Sequence, residues 1–197
     1  AGPFARTLAG SYLAYAQWQA GRPAEALDSA RAAMAEDGAR ALPLLVAIQH
    51  AICSLALASL GDDAAADEEA RVAVARMRAH GHQDTPRATV VWLAHGTACA
   101  RRGAIEAAEE ALRRAAALAD GPSLALDRAH ALLALASVLR ARSDVGSAAL
   151  AIAQARRIVA ATSDPGPLGR IAGAARSRGE SDLLEPISEG ERRILQL

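Results

Sequence analysis

A Gly or Ser followed five residues later by an Ala recurs four times along the chain: Gly21 with Ala26, Gly61 with Ala66, Gly103 with Ala108, and Ser143 with Ala148. The copies are 40, 42 and 40 residues apart. A fixed period of this length marks stacked supersecondary units, because one such unit cannot bury its apolar face alone. Each copy lies between two stretches whose apolar residues fall at helical spacing. Leu132, Leu135 and Leu139 share one face, as do Leu45, Ile48, Ile52 and Leu55. No segment sustains a two-residue alternation rich in β-branched side chains. The expected fold is therefore all-α, with antiparallel helix pairs stacked as a superhelix of about four pairs plus C-terminal helices. Architectures of this kind bind more often than they catalyse.

The expected helices are 4–20, 23–36, 42–60, 63–80, 86–102, 104–119, 123–142 and 145–162, a shorter one at 167–178, and the start of another at 189. Stop signals at Gly21-Arg-Pro23, Gly61-Asp-Asp63, Gly81, Gly121-Pro122 and Pro165-Gly-Pro167 separate them. Ala supplies 53 of the 197 residues and aromatics only 3%. The core must therefore be made of small and branched aliphatic side chains at close helix–helix distances. The net charge is zero, which disfavours gripping DNA or an anionic membrane by charge. There is no Lys, and this excludes a Walker-type phosphate loop, a Schiff base or a catalytic lysine within these residues. Arg, Ala and Gly richness without Lys is the composition of a GC-rich bacterial, for example actinobacterial, coding sequence. Cys53 and Cys99 suggest no disulfide framework, and no signal peptide is visible at the N-terminus, so a cytoplasmic location is expected. The uncharged run 41–60 approaches membrane-span length, but it carries Pro43, Gln49, His50, Ser54 and Ser59 and reads as a buried helix of the stack. The chain opens at Ala1 without Met, as a piece of a longer protein would.

Aligned on the turn Gly or Ser, the pairs resemble tetratricopeptide repeats. The family's small position in the first helix (helix A) falls on Ala14, Ser54, Gly96 and Ala136. Its late small position in the second (helix B) falls on Ala33, Ala73, Ala115 and Ala155. Its early aromatic falls on Trp92 alone. The shared physics is that small side chains let two helix backbones approach closely. The period is about 40 residues rather than the family's 34, implying longer helices, and the closing Pro is missing from all four copies.

Residues 1–180 form the expected repeat domain, and 181–197 a linker and the start of a further domain. In the latter, Ser188 and Glu191 form a capping box behind Ile187, and Ile194, Leu195 and Leu197 begin an apolar face. Ile187, Ser188, Glu191, Ile194 and Leu195 resemble the opening of a LuxR-type helix-turn-helix domain, with Gly190 where that family often has Arg. An ordinary capped helix is the other reading of this tail. A helical repeat array followed by this opening resembles the sensor region of the MalT-like large LuxR-type regulators. The resemblance implies an upstream nucleotide-binding module that would hold ATP, no cofactor in these residues, and DNA contact only through a domain beyond Leu197. It also implies an effector, either a small molecule or a peptide or protein, on the concave face. Self-association is an open possibility of such a module, and no membrane contact is expected. The alternative is an interaction scaffold, the helical arm of a signalling ATPase or kinase.

His95 and Cys99 stand at i,i+4, a spacing that can share a metal, but no third or fourth ligand accompanies them and packing positions explain them. His80 and His82 fall in a loop. Glu68, Glu69, Glu106, Glu109 and Glu110, with Arg71, Arg113 and Arg114, read as solvated helix faces with i,i+3 and i,i+4 pairs. No nucleophile, base and orienting group can be assembled, so no enzyme and no metal site are expected. In tetratricopeptide arrays the A helices line the groove. By register this makes Ser11, Tyr15, Trp18, Gln19, Thr97, Arg101, His130, Ser137 and Arg140 the expected ligand- or partner-binding residues. Tyr12, Tyr15 and Trp18 are three of five aromatics in the chain. Aromatics with polar tips suit a sugar, a flat ligand or a peptide. Alternatively they cap the end of the stack or pack on a preceding repeat.

Overall fold

The turn-and-Ala device builds four helical hairpins. The computed structural model describes residues 2–174. The capping box and LuxR-like opening at 187–195 lie outside them. Helices α1 (Pro3–Gln19) and α2 (Pro23–Ala35), α3 (Pro43–Leu60) and α4 (Asp63–Ala79), α5 (Thr89–Arg101) and α6 (Ile105–Leu118), and α7 (Ala125–Ala141) and α8 (Val145–Ala160) pair in order. Residues 167–174 begin a further helix, and no strand occurs among the described residues. α2 packs on α3, α4 on α5 and α6 on α7, so each hairpin stacks on the next. The odd-numbered helices also touch in sequence, α1 on α3, α3 on α5 and α5 on α7, and form an inner wall. The even-numbered helices lie outside it.

The four turn residues share one conformation. Gly21, Gly61, Gly103 and Ser143 have φ of 72°, 89°, 80° and 62°, all left-handed. At each turn the residue's N–H reaches back three residues and the next N–H reaches back five, as in Asp62 N to the Leu57 carbonyl at 3.0 Å and Asp144 N to the Leu139 carbonyl at 2.9 Å. This is the Schellman closure, which satisfies the last carbonyls of helix A. The residue after the turn caps helix B, and the Ala four positions further closes the first helical bond, as in Ala66 N to the Asp62 carbonyl. Asp62 and Asp144 add side-chain caps to Ala65 N and Ser147 N at 3.1 and 3.0 Å. Ser143 is the one described non-Gly residue at positive φ. A Cβ in the left-handed region costs about 1–2 kcal/mol, partly offset by the unfolded-state freedom a Gly regains. Ser143→Gly is therefore expected to stabilise the chain by about 0.5–1 kcal/mol, read from the denaturation midpoint.

The three sets of small residues are all buried. Ala26, Ala66 and Ala108 are fully inaccessible, and Ala148, the helix-A set and the late helix-B set lie with them in the interior. Gly96 shows why one helix-A copy lost even its methyl. A Cβ there would sit 2.6 Å from Cγ of Leu112, a fully buried side chain nine residues past the turn. The equivalent residues of the first two pairs are Ala30 and Ala70, and there helix A carries Ala14 and Ser54.

The expectation that a 40-residue period means longer helices holds only in part. α3 has 18 residues and α7 has 17, but α5 and α6 have 13 and 14. The remainder enters the connections between pairs, which contain 3-10 turns at Asp37–Ala41, Pro86–Ala88 and Pro122–Leu124. α3 is long and apolar enough to cross a membrane by length and composition, but here it is packed against α1, α2, α4 and α5.

Beside the i,i+3 and i,i+4 pairs of Arg71 and Arg113, ion pairs cross from one repeat to the next. Arg102 pairs with Asp67, and Arg142 with Glu109. Each joins the residue before a turn to the residue six past the preceding turn. In the first pair that relation falls on Leu27 and Leu60. The device was therefore present in the register, although neither the acid nor the arginine is distinctive alone.

Candidate functional site: an inner channel divided by a polar bridge

The superhelix winds tightly enough for its first helix to meet its fourth pair. Tyr15 on α1 donates its hydroxyl proton to the carboxylate of Asp127 on α7, with 2.6 Å to each oxygen. Gln19 donates to Tyr15 Oη at 2.7 Å and to Asp127 Oδ1 at 3.2 Å. One helical turn further along each helix, the Trp18 ring lies on His130 with centroids 4.7 Å apart, and Tyr15 leans on Trp18 at 6.0 Å. Beyond the fourth pair, Pro167 at the start of the further helix lies so close to Gly21 that a Cβ there would approach its ring to 2.7 Å. Helix periodicity explains the arrangement, because positions three and four apart share a face: Tyr15, Trp18 and Gln19 on α1, and Asp127 and His130 on α7.

Asp127 is the buried member of this bridge and Tyr15, Trp18, Gln19 and His130 are half-buried, and the loss of hydration governs its acid–base behaviour. Asp127 is 2% exposed, and desolvation pushes its carboxyl up to about 6 against the hydrogen bonds from Tyr15 and Gln19. Burial, then the Asp127 charge, moves the Tyr15 hydroxyl far above the ordinary phenol range. Desolvation alone lowers His130 to about 4. Near pH 7 the bridge thus holds a neutral imidazole, a neutral phenol and one hydrogen-bonded carboxylate.

The bridge divides the space inside the inner wall. On one side, near the N-terminal ends of α3, α5 and α7, lies a chamber of about 390 Å³ whose lining includes Ser11, Tyr15, Gln49, Thr89 and Asp127. On the other side a chamber of about 320 Å³ is lined by Trp18, Gln19, Thr97, Arg101 and His130 among others. Ser137 and Arg140 line a separate recess of about 250 Å³, bounded also by Ile152 on α8 and Ile171. The register therefore places the nine expected residues in the interior recesses but not on one open surface. Several already have partners. Ser11 Oγ donates to the Thr7 carbonyl at 2.7 Å, Ser137 Oγ to the Leu133 carbonyl at 3.3 Å, and Arg101 pairs with Asp63 at 2.8 Å.

Asp127 and Gln49 were not among the expected residues. Extending the register back along the A helices would have reached Asp127, Leu45 and Arg87 together, whereas Gln49 stands at the offset of Val91 and Ala131, which are core positions. Elsewhere, His95 Nε2 and Cys99 Sγ meet at 3.7 Å, but their next neighbour is a cation, the Arg102 guanidinium, 3.2 Å from the sulfur. No cluster of three or more metal-ligating side chains occurs among the described residues. Trp92 is buried, donates Nε1–H to the Gln83 carbonyl at 3.0 Å, and carries the Arg114 guanidinium 4.5 Å from its ring centroid.

No protein-family model and no curated protein matches this chain. Among solved structures it is similar to a kinesin light chain candidate from Podosopora anserina with nearly identical TPR-like repeats. The TM-score is 0.56 and the identity 19%, over 92% of this chain and 93% of that one. The likeness establishes a TPR-like fold, the tetratricopeptide type of helical repeat.

Proposed function

We propose that the chain is a regulatory sensor and interaction module whose inner channel takes an effector and whose winding responds to it. The observation that carries this reading is the bridge between α1 and α7. It ties the first hairpin to the fourth through a few polar and aromatic contacts, and α1 and α7 have no extensive backbone packing between them. Such a closure is inexpensive to open. A molecule that prefers one winding shifts the population by its difference in affinity for the two states. The bridge also interrupts the channel, so an extended peptide cannot thread its length with the bridge closed. This supports a small effector over the peptide.

The output reading rests on the tail. The resemblance at Ile187, Ser188, Glu191, Ile194 and Leu195 supports a bacterial transcription regulator of the large LuxR type, acting on DNA through a domain after Leu197 and located in the cytoplasm. The test is the coding sequence downstream of Leu197. A complete helix-turn-helix pattern there is expected, and its absence sinks the regulator reading, leaving a scaffold arm as the better account of the fold.

A further inference from the structure

In the chamber on the Trp18 side of the bridge, all four hairpins meet the start of the further helix. Trp18 on α1, Leu55 on α3, Thr97 on α5 and His130 on α7 line it, with Ile171 beyond them. Its volume of about 320 Å³ is within the range of small-molecule pockets. Its polar groups are reachable and unused. Trp18 Nε1–H, Thr97 Oγ1 and the ring nitrogens of His130 form no hydrogen bond among the described residues, and none of them is sealed from solvent. Thr97 differs in this from Thr7, Ser11, Ser59 and Ser137, whose hydroxyls donate to the carbonyl four residues earlier. Arg101 follows Thr97 by one helical turn on the same face of α5. Among the described residues it is the one charged side chain of the lining, and no carboxylate accompanies it there. Its Nη1 donates to Asp63 Oδ1 at 2.8 Å, in a pair whose side chains are 42% and 53% exposed. A pair so exposed contributes little to stability, and it occupies one of five guanidinium N–H donors. The lining thus combines donors and one positive charge on α5 with apolar walls from Leu55, Leu93 and Ala134.

We propose that this chamber is a site for a small monocarboxylate with a flat apolar body, its carboxylate held by the Thr97 hydroxyl and the Arg101 guanidinium and its body beside Trp18 and His130. A carboxylate only accepts hydrogen bonds, and both of these groups donate. The charge-assisted bond to the guanidinium is the stronger of the two. A carboxamide of the same shape loses the charge and turns an NH₂ toward the same donors. A dianion would need a second cation, and an ammonium group would meet Arg101 with no counter-charge in the lining. The inference deepens the effector reading and rests on it for any consequence of binding. An occupant in contact with every hairpin and with Ile171 is placed to favour one winding over another.

The test uses 4-phenylbutyrate and its isostere 4-phenylbutyramide, titrated into the whole 197-residue chain by NMR near neutral pH. The carboxylate is expected to bind roughly tenfold more tightly than the amide, and Arg101→Gln to remove that preference. Thr97→Val, which keeps the shape and deletes the hydroxyl, is expected to weaken the carboxylate roughly fivefold. Asp63→Asn removes the competing acid from Arg101 and is expected to tighten the carboxylate roughly threefold, with little change for the amide. Arg101 and Asp63 are both exposed, so their variants keep the fold. Equal affinities for the two probes, no saturable binding of the carboxylate, or a carboxylate preference that survives Arg101→Gln would each overturn the site. Weaker carboxylate binding in Asp63→Asn would do so too, by showing that the ion pair supports the chamber and does not compete for its ligand. Hydrogen exchange in α1, α7 and residues 167–174 separates the two ideas. Carboxylate-selective binding with unchanged exchange supports the site and defeats the effector reading. Loss of selectivity defeats the site and leaves that reading to the chamber on the Ser11 side.

Discussion

Replacing Ala108 by Leu is expected to destabilise the fold by about 1–3 kcal/mol, because the added carbons enter a filled helix crossing. Ala108 is fully inaccessible, and its carbonyl oxygen already lies 3.2 Å from where a Cβ on Gly96 would stand. The same substitution at Ala107, one residue earlier and exposed, should stay within about 0.5 kcal/mol of wild type. The pair of variants tests the repeat register itself, and equal melting temperatures for both would refute it. Gly96 offers a sharper version. Gly96→Ala gains about 1 kcal/mol of helix propensity but places a methyl against Leu112, so a net loss of about 1–2 kcal/mol is expected. In a Leu112→Ala background the side-chain clash is gone, the Ala108 carbonyl at 3.2 Å remains, and the same change should cost less than in the wild type. A double-mutant cycle from denaturant unfolding measures the coupling.

Much of this architecture was legible because it follows from local chemistry repeated in register. A left-handed turn residue, a capping residue and an Ala where two backbones cross are short-range requirements, and each copy carries them at the same offsets. The tightness of the winding was not legible in that way. It comes from the small rotation between successive pairs, accumulated over three interfaces, and no single position encodes it. The expected lining residues accordingly fell on the inner surface, while the meeting of Tyr15 with Asp127, 112 residues away in sequence, could not be read from spacing. The aromatics of α1 divide between two faces. Tyr15 and Trp18 face α7, whereas Tyr12 is 59% exposed.

The bridge makes a pH prediction in which the buried Asp127 and the half-buried His130 pull in opposite directions. Asp127 has its carboxyl raised from 3.8 to about 6, so the folded chain holds an extra proton between those values. The stability it contributes is fully present below about 3.8 and is lost as pH rises through 6. About two units at 1.36 kcal/mol each makes this roughly 3 kcal/mol. His130 is lowered from 6.5 to about 4, so the unfolded chain holds the extra proton there. Its contribution is present above 6.5 and is lost, by a similar amount, as pH falls through 4. The opposed slopes overlap between pH 4 and 6, and in the wild type they largely cancel. Single substitutions separate them. Asp127→Asn keeps an acceptor for Tyr15 and Gln19 but cannot ionise, and it should gain about 3 kcal/mol on the wild type between pH 4 and pH 7. His130→Phe keeps a ring against Trp18 but cannot charge, and it should gain a comparable amount as pH falls from 7 to 4. Urea unfolding of the three proteins at half-unit pH steps reads both differences, and other titrating groups cancel in the comparison. If the Asp127→Asn and wild-type curves run parallel from pH 4 to 7, the carboxyl titrates as it does in water and the bridge is not closed in solution. If both variants instead lose ground to the wild type near pH 5, a charged Asp127–His130 pair holds the two together, and the neutral imidazole assigned to the bridge is wrong.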